Sequence, residues 1–493
     1  MGIGGQTVSR TLEFDLEAPT LFINGAWERG AADPVNVVSP VTEQALAGVR
    51  SASDRQVDAA LAAARAAQRG WASLPGVERS MYVHGMAAVL RRHRDDLAAL
   101  LVHEVGKPFG AAQGEIDWAS KYADYMAEWD RRIEGEILPS DNRNEAIHIL
   151  RMPVGVVGAI TAWNFPIALF ARKVAPALVA GNTVVLKPSE VAPLASIALM
   201  RAIAEELTLP AGVLNLVTGA GPVGAALVRS PQTDLLTMTG HRDTGKKIMA
   251  EAAANLTRVS LELGGKAPAI VLADADLDLA VRELVTARQT NSGQVCTCAE
   301  RTFVDGAVYD EFVDRYVAAV GGLRVGDPWT NVDMGPLINQ KQLAKTTAAV
   351  ARARTEGATV VRGGGRPAGP DFETGYWYEP TVIVDVQPGM DVMREEVFGP
   401  VMPIARVASL EDALAQSNDS RYGLSAYLFT NDYRRVMRLV QDLQFGEIYV
   451  NRTHGEQPQA HHIGWRESGL GGEDGKYGVL KYTQLKSVYH NFG

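Results

Sequence analysis

Cysteine is scarce in this chain of 493 residues, which holds only Cys296 and Cys298. Two cysteines in such a long chain cannot form the disulfide framework of a small secreted protein. A Cys-x-Cys pair also makes a poor zinc site when no second pair of ligands stands at a suitable spacing. The sequence therefore predicts neither a disulfide framework nor a metal site, and the two thiols need another explanation.

Long apolar runs and clusters of one charge are missing as well. No apolar run reaches the ~20 residues that a membrane span needs, and the N-terminal segment has no apolar core of signal-peptide length. The net charge is −9, with acidic and basic residues mixed along the chain. These absences predict a cytoplasmic protein that binds neither a membrane nor a nucleic acid.

Strand and helix patterns alternate from about residue 148, after two alanine-rich amphipathic segments, 55–70 and 78–105, that predict helices. Strand, helix, strand at this spacing is typical of βαβ units and a parallel sheet, so the sequence predicts an α/β fold. A second alternating region runs from about 265 to 450. The predicted strands are 154–160, 182–186, 213–217, 235–239, 259–263 and 268–272, and the predicted helices are 167–180, 193–207, 222–229 and 243–254.

Two further segments belong to neither alternating region. Residues 132–151 predict two strands around a Pro-Ser-Asp-Asn turn, and residues 478–493 alternate polar and apolar like a strand. Exposed strand edges invite pairing with another chain. We therefore expect these segments to build an oligomer interface.

The residues before Cys296 favour a functional role for this thiol. A lone cysteine is usually a buried, inert side chain, and this explanation holds for Cys298. The small residues Ser292 and Gly293, however, allow the backbone near Cys296 to approach a ligand closely. Cys296 is thus a candidate nucleophile, which requires a base and a donor for an oxyanion.

Two stretches are candidates for binding a dinucleotide. Gly219 to Gly224 reads Gly-x-Gly-x-x-Gly between a predicted strand and a predicted helix, although such short patterns arise by chance in a glycine-rich chain. Leu186 to Glu190 reads Leu-Lys-Pro-Ser-Glu at the carboxyl end of a predicted strand, where open α/β sheets bind ligands. The second stretch is the better candidate, because Lys187 and Glu190 could hold ribose hydroxyls from opposite sides.

Five motifs occur in an order that resembles the aldehyde dehydrogenase superfamily. They are TAWNFP (161–166), KPSE (187–190), LELGGK (261–266), GQVC (293–296) and EEVFGP (395–400). The resemblance covers nearly the whole chain. Within the superfamily, segments such as SGQVCTCAERT and GWRESGLGGEDGKYG look most like the lactaldehyde and glycolaldehyde dehydrogenase branch.

The resemblance implies a division into three units. A Rossmann-like NAD-binding domain would comprise 1–130 and 150–260, and an α/β catalytic domain would comprise 261–474. A small β oligomerisation arm would comprise 131–149 and 475–493. The protein would then be a homodimer or a homotetramer.

The resemblance also assigns the catalytic roles. Cys296, as a thiolate, would attack the aldehyde carbon, and the Asn164 amide with the Cys296 N–H would hold the oxyanion. Hydride would leave for NAD⁺, and Glu262 would activate the water that hydrolyses the thioester. The glycines after Glu262, Gly264 and Gly265, would leave its backbone mobile and uncrowded. Lys173 and Glu473 match a proton relay assigned in some relatives.

The implied cofactor is NAD, with NADP less favoured because Glu190 would repel a 2′-phosphate. Lys187 and Glu190 resemble the adenosine-ribose clamp, and Glu396 with Phe398 resembles the contact to the nicotinamide ribose. His241 stands near the pyrophosphate position, where the family usually has serine. The full predicted cofactor set is Thr161, Trp163, Lys187, Ser189, Glu190, Gly219, Gly224, Thr239, Gly240, His241, Gly264, Glu396 and Phe398.

The predicted substrate residues favour a small hydroxylated aldehyde. Alignment with the family places Arg172, Glu456 and His462 at positions that line the substrate funnel, with Thr297 beside the nucleophile. All are polar, and a buried charge needs a partner, so we expect Arg172 to pair with Glu456 while His462 binds a substrate hydroxyl. Two alternatives are an apolar, aromatic aldehyde bound elsewhere and a semialdehyde whose carboxylate meets Arg172.

Other reactions on the same scaffold are open to test. Coenzyme A-acylating relatives typically lack a base at the position of Glu262, so its presence favours a free carboxylic acid product. A binding or structural protein would be expected to have lost Cys296 or Glu262. A thiol esterase that uses the same cysteine would work without a nicotinamide cofactor.

Overall fold

The computed structural model describes residues 18–493. The N-terminal segment in which we expect no signal peptide lies almost wholly outside these residues. Within the described part of the chain, no helix has the length and apolar character needed to cross a bilayer.

Fifteen α-helices form in the described residues, and most present one apolar face to a sheet or to another helix. They are α1 (Asp54–Ser73), α2 (Gly76–Arg92), α3 (Arg94–Val105), α4 (Phe109–Ala127), α5 (Pro166–Val179), α6 (Leu194–Glu206), α7 (Gly221–Arg229), α8 (Arg242–Ala252), α9 (Leu277–Gln289), α10 (Tyr309–Gly321), α11 (Gln340–Thr355), α12 (Asp391–Arg394), α13 (Leu410–Asn418), α14 (Tyr433–Asp442) and α15 (Gly475–Leu480).

The strands of residues 18–493 build two large sheets and three small ones. They are β1 (Leu21–Ile23), β2 (Ala26–Glu28), β3 (Pro34–Val38), β4 (Ala45–Arg50), β5 (Glu136–Pro139), β6 (Glu145–Pro153), β7 (Val156–Ile160), β8 (Thr183–Lys187), β9 (Leu214–Leu216), β10 (Leu235–Thr239), β11 (Arg258–Glu262), β12 (Ala267–Val271), β13 (Ala299–Asp305), β14 (Thr359–Arg362), β15 (Thr381–Val384), β16 (Val401–Val407), β17 (Tyr422–Gly423), β18 (Ser425–Phe429), β19 (Glu447–Val450), β20 (Trp465–Arg466), β21 (Gly469–Leu470) and β22 (Thr483–Asn491).

The first large sheet has the order β2-β1-β9-β8-β7-β10-β11-β21. Its central strands β9, β8, β7, β10 and β11 pair in parallel, and antiparallel strands close both edges. Strand β7 is bracketed in register by its neighbours, with Ile160 opposite Lys187 and Met238. The carboxyl ends of β7, β8, β10 and β11 therefore meet at one edge, where open α/β sheets bind ligands.

The second large sheet has the order β14-β15-β16-β13-β12-β18-β19 and is parallel except at the β14–β15 edge. The third sheet, β22-β6-β5, is antiparallel and is built from the two segments that we expect to form an arm. Together these elements confirm the predicted α/β fold with Rossmann-like parallel sheets. The domain boundaries at 130, 149, 260 and 474 stay a prediction.

Two predicted elements differ from the structure. The single helix predicted over 78–105 is two helices, α2 and α3, because His93 adopts φ −97° and ψ 20° between them. The C-terminal strand begins at Thr483 rather than near 478, because α15 occupies the preceding residues. Val479 and Tyr482 from this stretch are fully buried in the core of the first sheet, which explains why a periodicity of two was misleading there.

Candidate active site

The nucleophile candidate lies in a strained loop after helix α9. Asn291, Ser292 and Gly293 have positive φ values of 50°, 56° and 75°, and such backbone at a residue other than glycine costs about 1–3 kcal/mol. A Cβ at position 293 would lie 2.4 Å from the Gly399 backbone, so only glycine fits there. The loop is held by buried hydrogen bonds, including Asn291 Nδ2 to the Asn164 carbonyl at 3.1 Å. It leaves Cys296 partly exposed while Cys298 is buried.

Cys296 opens onto a cavity of about 840 Å³ that also reaches the carboxyl ends of the first sheet's parallel strands. Most predicted site residues line it. They are Trp163, Asn164, Arg172, Ser189, Glu190, Thr239, Gly240, His241, Glu262, Gly264, Cys296, Glu396, Phe398, Glu456, His462 and Glu473.

The remaining predicted site residues lie behind the walls of this cavity. Gly219 has φ +141°, and a Cβ there would lie 2.5 Å from Val223 Cγ2, so the turn itself requires glycine. Thr297 is fully buried and donates its hydroxyl to Glu456 Oε1 at 3.2 Å. The other members of this set are Thr161, Lys173, Lys187 and Gly224.

Asn164 faces the nucleophile loop from the end of β7. Its Nδ2 donates to the Gln294 carbonyl at 3.1 Å, which uses one of the two hydrogens that an amide carries. The backbone carbonyl of Asn164 accepts from Lys107 Nζ at 3.0 Å and from Asn291 Nδ2. Lys107, which the motifs do not reveal, is itself fully buried in an ion pair with Glu115. Hydrogen bonds thus hold both the backbone of Asn164 and its side-chain amide.

Glu262 is a buried carboxylic acid without a hydrogen-bonding partner. Neither of its oxygens accepts a hydrogen bond from any residue between 18 and 493, and the nearest cationic group is His462 Nε2 at 3.7 Å from Oε2. Burial raises the pKa of Glu262 to about 8, against a smaller lowering by His462. A carboxyl group with such a pKa can accept a proton near neutral pH.

Lys173 and Glu473 form the buried ion pair that the sequence predicts, with Nζ 2.7 Å from Oε1. Thr237 and Lys481 also hydrogen-bond Glu473 Oε1. Burial alone would raise the pKa of Glu473, but Lys173, Lys481 and Arg172 outweigh it and hold the pKa well below the usual range. This carboxylate stays ionised beside Glu262, whose pKa moves in the opposite direction.

The expected pair between Arg172 and Glu456 is wrong. Arg172 Nη2 instead donates to Asp474 Oδ2 at 2.8 Å, with Glu473 Oε2 3.8 Å from Nε. Asp474, which has no motif of its own, follows Glu473 directly and has a pKa raised to about 6 by burial. Glu456 remains a carboxylate: burial opposes this, but His462 and Arg172 hold its pKa at about 2.

Two further expectations are corrected by the geometry. Gly264 and Gly265 are not uncrowded, because a Cβ at 264 would lie 2.4 Å from Glu396 Oε1 and one at 265 would lie 2.7 Å from the Cys296 carbonyl. The Cys296 thiol does not rest as a freely ionised thiolate, since burial raises its pKa. His462 contributes the largest lowering of that pKa.

The outer part of the cavity fits a dinucleotide. Lys187 Nζ lies 3.4 Å from Glu190 Oε2, whose side chain is 37% exposed, and Glu396 Oε1 accepts from the Gly265 N–H at 2.8 Å. The Thr239 hydroxyl in the cavity wall is buried and lacks a hydrogen-bonding partner in the described part of the chain. Such an unsatisfied group is typical of a site that completes its hydrogen bonds with a ligand.

Two lysines at this outer part were missed by sequence reasoning. Lys341 and Lys345 lie on α11, line the cavity, and face His241 closely enough to lower its pKa, after the larger effect of burial. Their spacing of four residues on a helix places them on one face, which is the only signal that the sequence contains for them. They add positive charge where a pyrophosphate would need it.

The sequence model described as the aldehyde dehydrogenase family matches residues 27–488. The chain belongs to the aldehyde dehydrogenase family. It is 44% identical over 477 residues to 3,6-anhydro-alpha-L-galactose dehydrogenase of Vibrio sp. (strain EJY3), covering 96% of this chain and 99% of the relative. It is also 44% identical over 473 residues to lactaldehyde dehydrogenase of Escherichia coli (strain K12), covering 95% and 98%.

A crystal structure of lactaldehyde dehydrogenase from Escherichia coli superposes with a TM-score of 0.94, at 43% identity and with 96% and 99% of the two chains covered. These findings confirm the family that the five motifs predict. The protein is an NAD(P)-dependent aldehyde dehydrogenase. The roles of its individual residues and the identity of its aldehyde are proposals.

Proposed function

We propose that this aldehyde dehydrogenase oxidises a small hydroxylated aldehyde of the lactaldehyde or glycolaldehyde type to the free carboxylic acid, with NAD⁺ as the preferred cofactor. The observation that carries this proposal is the polar wall beside the nucleophile. Arg172, Glu456 and His462 line the cavity next to Cys296; Arg172 and His462 are buried and Glu456 is half-buried. Desolvated polar groups favour ligands that return hydrogen bonds to them.

The names of the two relatives at 44% identity agree with a hydroxylated substrate, whereas relatives at 38–40% identity are named for succinate and glutarate semialdehydes. Lactaldehyde and 3,6-anhydro-L-galactose both carry hydroxyl groups in addition to the aldehyde. A site built to hydrogen-bond a hydroxyl discriminates strongly against an analogue that lacks it, by about 10⁴-fold or more in favourable cases. A polar pocket is therefore an efficient way to select such aldehydes.

The reaction begins at Cys296 and passes through two covalent intermediates. The sulfur adds to the aldehyde carbon, and the Asn164 amide with the Cys296 N–H holds the resulting oxyanion, each such donor being worth about 3–4 kcal/mol of barrier. The nicotinamide, when bound, supplies the hydride acceptor. The thiohemiacetal thereby becomes a thioester on Cys296.

Glu262 completes the cycle. Its unpartnered carboxylate removes a proton from the water that attacks the thioester, and its raised pKa suits it to this task. The ion pair of Lys173 and Glu473 lies beside it as a route for that proton. Hydrolysis releases the carboxylic acid and leaves Cys296 as a free thiolate, ready for the next aldehyde.

The preference for NAD⁺ rests on the clamp formed by Lys187 and Glu190. These side chains lie at the carboxyl end of β8 and could share the two hydroxyls of the adenosine ribose. A phosphate on the 2′ oxygen would meet the Glu190 carboxylate, and like charges in contact are unfavourable. Lys341 and Lys345 would hold the pyrophosphate.

The semialdehyde alternative loses support from the pairing of Arg172. This guanidinium already binds Asp474 at 2.8 Å, with Glu473 close by. A substrate carboxylate would have to compete with a buried partner, and breaking a buried pair is costly. We therefore rank semialdehydes below neutral hydroxylated aldehydes.

We also propose that the arm β22-β6-β5 is the contact between subunits of a homodimer or a homotetramer. Its strands expose apolar side chains, with Ile137 75%, Leu485 61% and Tyr489 66% exposed. Exposed apolar strands of this kind favour pairing with another chain.

The test is a panel of aldehydes assayed by NADH or NADPH absorbance. It compares lactaldehyde and glycolaldehyde with propionaldehyde, which lacks only the hydroxyl, and with succinate semialdehyde and benzaldehyde, using NAD⁺ and NADP⁺ in parallel. We expect kcat/KM to be at least tenfold higher for lactaldehyde than for propionaldehyde. Equal kcat/KM values for lactaldehyde and propionaldehyde would contradict the proposal, as would a higher value for benzaldehyde. A higher kcat/KM for succinate semialdehyde would also contradict it and would indicate that Arg172 binds a substrate carboxylate. An ester substrate without cofactor tests the thiol esterase alternative.

A further inference from the structure

The His462 ring lies between a carboxylate and the nucleophile. Its Nδ1 lies 3.0 Å from Glu447 Oε1, and the Cys296 thiol is within hydrogen-bonding reach of the ring. His462 is 2% exposed. The arrangement thiol, imidazole, carboxylate is the one that lowers the barrier to ionisation of a cysteine in other thiol enzymes.

His462 and Glu447 are each held by hydrogen bonds to other residues of the protein. The backbone N–H of His462 donates to the Glu473 backbone carbonyl at 2.9 Å, and the backbone N–H of Glu473 donates back to the His462 backbone carbonyl. On the other side, the Tyr449 hydroxyl donates to Glu447 Oε2 at 2.8 Å. These contacts hold the His462 backbone and the Glu447 carboxylate, and Glu447 in turn holds the ring through Nδ1.

The surrounding charges favour a protonated ring. The ionisable groups that face His462 are Glu262, Cys296, Glu447, Glu456, Asp474 and Arg172. Burial and Arg172 oppose a positive charge on the ring, but Glu447 and the contact with Cys296 raise its pKa well above the usual range. An imidazolium with its Nδ1–H directed at Glu447 directs its Nε2–H at the sulfur.

The thiol needs such a neighbour. Burial raises the pKa of Cys296, Glu456 raises it further, and His462 provides the largest opposing effect, followed by Arg172. A thiolate next to a protonated imidazole is the general means by which cysteine is made reactive near neutral pH.

We propose that His462, held in its protonated form by Glu447, is the counter-ion of the Cys296 thiolate and that this pair sets the reactivity of the nucleophile. The S–H bond breaks with its proton passing to solvent in the cavity. The sulfur's electron pair then forms the bond to the aldehyde carbon, while the π electrons of the carbonyl move to its oxygen as the oxyanion. The pair acts again when the thioester is hydrolysed, since the sulfur departs as a thiolate. His462 is a catalytic residue because it contacts the reacting sulfur, and Glu447 is a positioning residue. The inference rests on the proposed function only through the choice of Cys296 as the nucleophile.

The experiment measures alkylation of Cys296 by iodoacetamide as a function of pH, without aldehyde or cofactor. Cys296→Ser provides the background from Cys298. The absence of substrate separates a role in ionising the sulfur from a role in binding a substrate hydroxyl, so the result is independent of which aldehyde the enzyme uses. Far-ultraviolet circular dichroism and a thermal melt check that each variant is folded.

We expect His462→Gln to shift the midpoint of the alkylation profile upward by at least one pH unit, which is about a tenfold loss of rate at neutral pH. Glu447→Gln keeps the imidazole ring but removes the negative charge that stabilises its protonated form. The alkylation midpoint of this variant should therefore also rise, by less than that of His462→Gln. If one of these variants does not fold, the other carries the test. Glu456→Gln is the matched control, because it removes a carboxylate that opposes ionisation and should shift the midpoint downward. Midpoints for folded His462→Gln and Glu447→Gln that equal the wild-type value would overturn the proposal.

Discussion

The buried end and the exposed end of the active-site cavity handle charge in different ways. At the buried end, formed by Glu262, Cys296, His462 and Glu473, the side chains are enclosed by protein, and most have a protein partner at a short distance. At the exposed end, formed by Glu190, His241, Lys341 and Lys345, the side chains are half-buried or exposed. The buried end is organised before any ligand arrives, and the exposed end leaves its charges for a ligand to satisfy.

This difference in burial and pairing indicates a different function for each end of the cavity. Two carboxylates at the buried end, Glu262 and Glu473, lie close together and yet have pKa values displaced in opposite directions. Glu473 is in direct contact with Lys173 and Lys481, whereas the nearest cationic group to Glu262 is His462 Nε2 at 3.7 Å. Pairs of titratable groups with pKa values pushed apart are typical of acid–base chemistry, so the buried end is suited to reaction and the exposed end to binding.

The largest effect should come from the nucleophile at the buried end. Cys296→Ala should lower kcat by at least about 10⁴-fold, because the covalent route is lost entirely. The measurement is NADH formation from lactaldehyde at saturating NAD⁺. Cys298→Ser is the matched control, since Cys298 is buried behind the loop, and this variant should retain activity; loss of activity in Cys298→Ser but not in Cys296→Ala would exchange the roles of the two thiols.

A smaller but still large effect is expected at Glu262. Glu262→Gln removes the base and should lower steady-state kcat by about 10²–10⁴-fold. In the wild-type enzyme, Glu262 must be ionised to accept a proton, and its pKa is raised to about 8. The rate of hydrolysis should therefore rise with pH through about 8 and level off above it, and this rise should vanish in the variant. A wild-type rate that falls with pH over the same range would remove Glu262 from the role of base.

The same substitution at each end compares the two lysine–glutamate pairs directly. Lys173→Met leaves Glu473 buried with one cation fewer and should lower the free energy of unfolding by about 3–5 kcal/mol. Lys187→Met leaves Glu190 in contact with solvent, so it should lower that free energy by less than about 1 kcal/mol and raise the KM for NAD⁺ instead. Urea denaturation and steady-state kinetics on both variants measure the difference. Equal losses of stability would mean that the two ends are not distinct in the way described.

The smallest effect is expected for cofactor choice at the exposed end. Glu190→Gln removes one partly solvated charge from the proposed ribose clamp, and a charge of this kind contributes about 1 kcal/mol. The ratio of kcat/KM for NADP⁺ to that for NAD⁺ should rise about fivefold. An unchanged ratio would indicate that the adenosine ribose lies elsewhere in the cavity.

The sequence predicts some residues of this site and not others. The residues that it predicts lie in local motifs. Cys296, Glu262 and Asn164 lie in motifs whose neighbours are also constrained, such as Gly293, which has no room for a Cβ. These local constraints leave a signal that a reader of the sequence can find. The parallel sheet was predictable for a similar reason, because apolar strands alternate with amphipathic helices.

Partners that meet only in three dimensions were not predictable. Arg172 and Asp474 are 302 residues apart in the chain, and nothing local to either residue indicates that they pair. Glu447 is fifteen residues from His462, and it reaches the ring because β19 lies at the edge of the second sheet. Lys107 reaches the backbone carbonyl of Asn164 from the loop between α3 and α4. Pairings of this kind depend on how the sheets pack, which a sequence pattern does not encode.

The central claim is that the acyl group rests on Cys296 until Glu262 delivers water to it. The most direct measurement mixes Glu262→Gln with lactaldehyde and NAD⁺, follows NADH by stopped flow, and then determines the intact mass of the protein. The account predicts one NADH for each subunit, then a halt, and a mass increase of one lactoyl group located on the peptide that contains Cys296. Continued turnover with no adduct, or an adduct on any other residue, would contradict it.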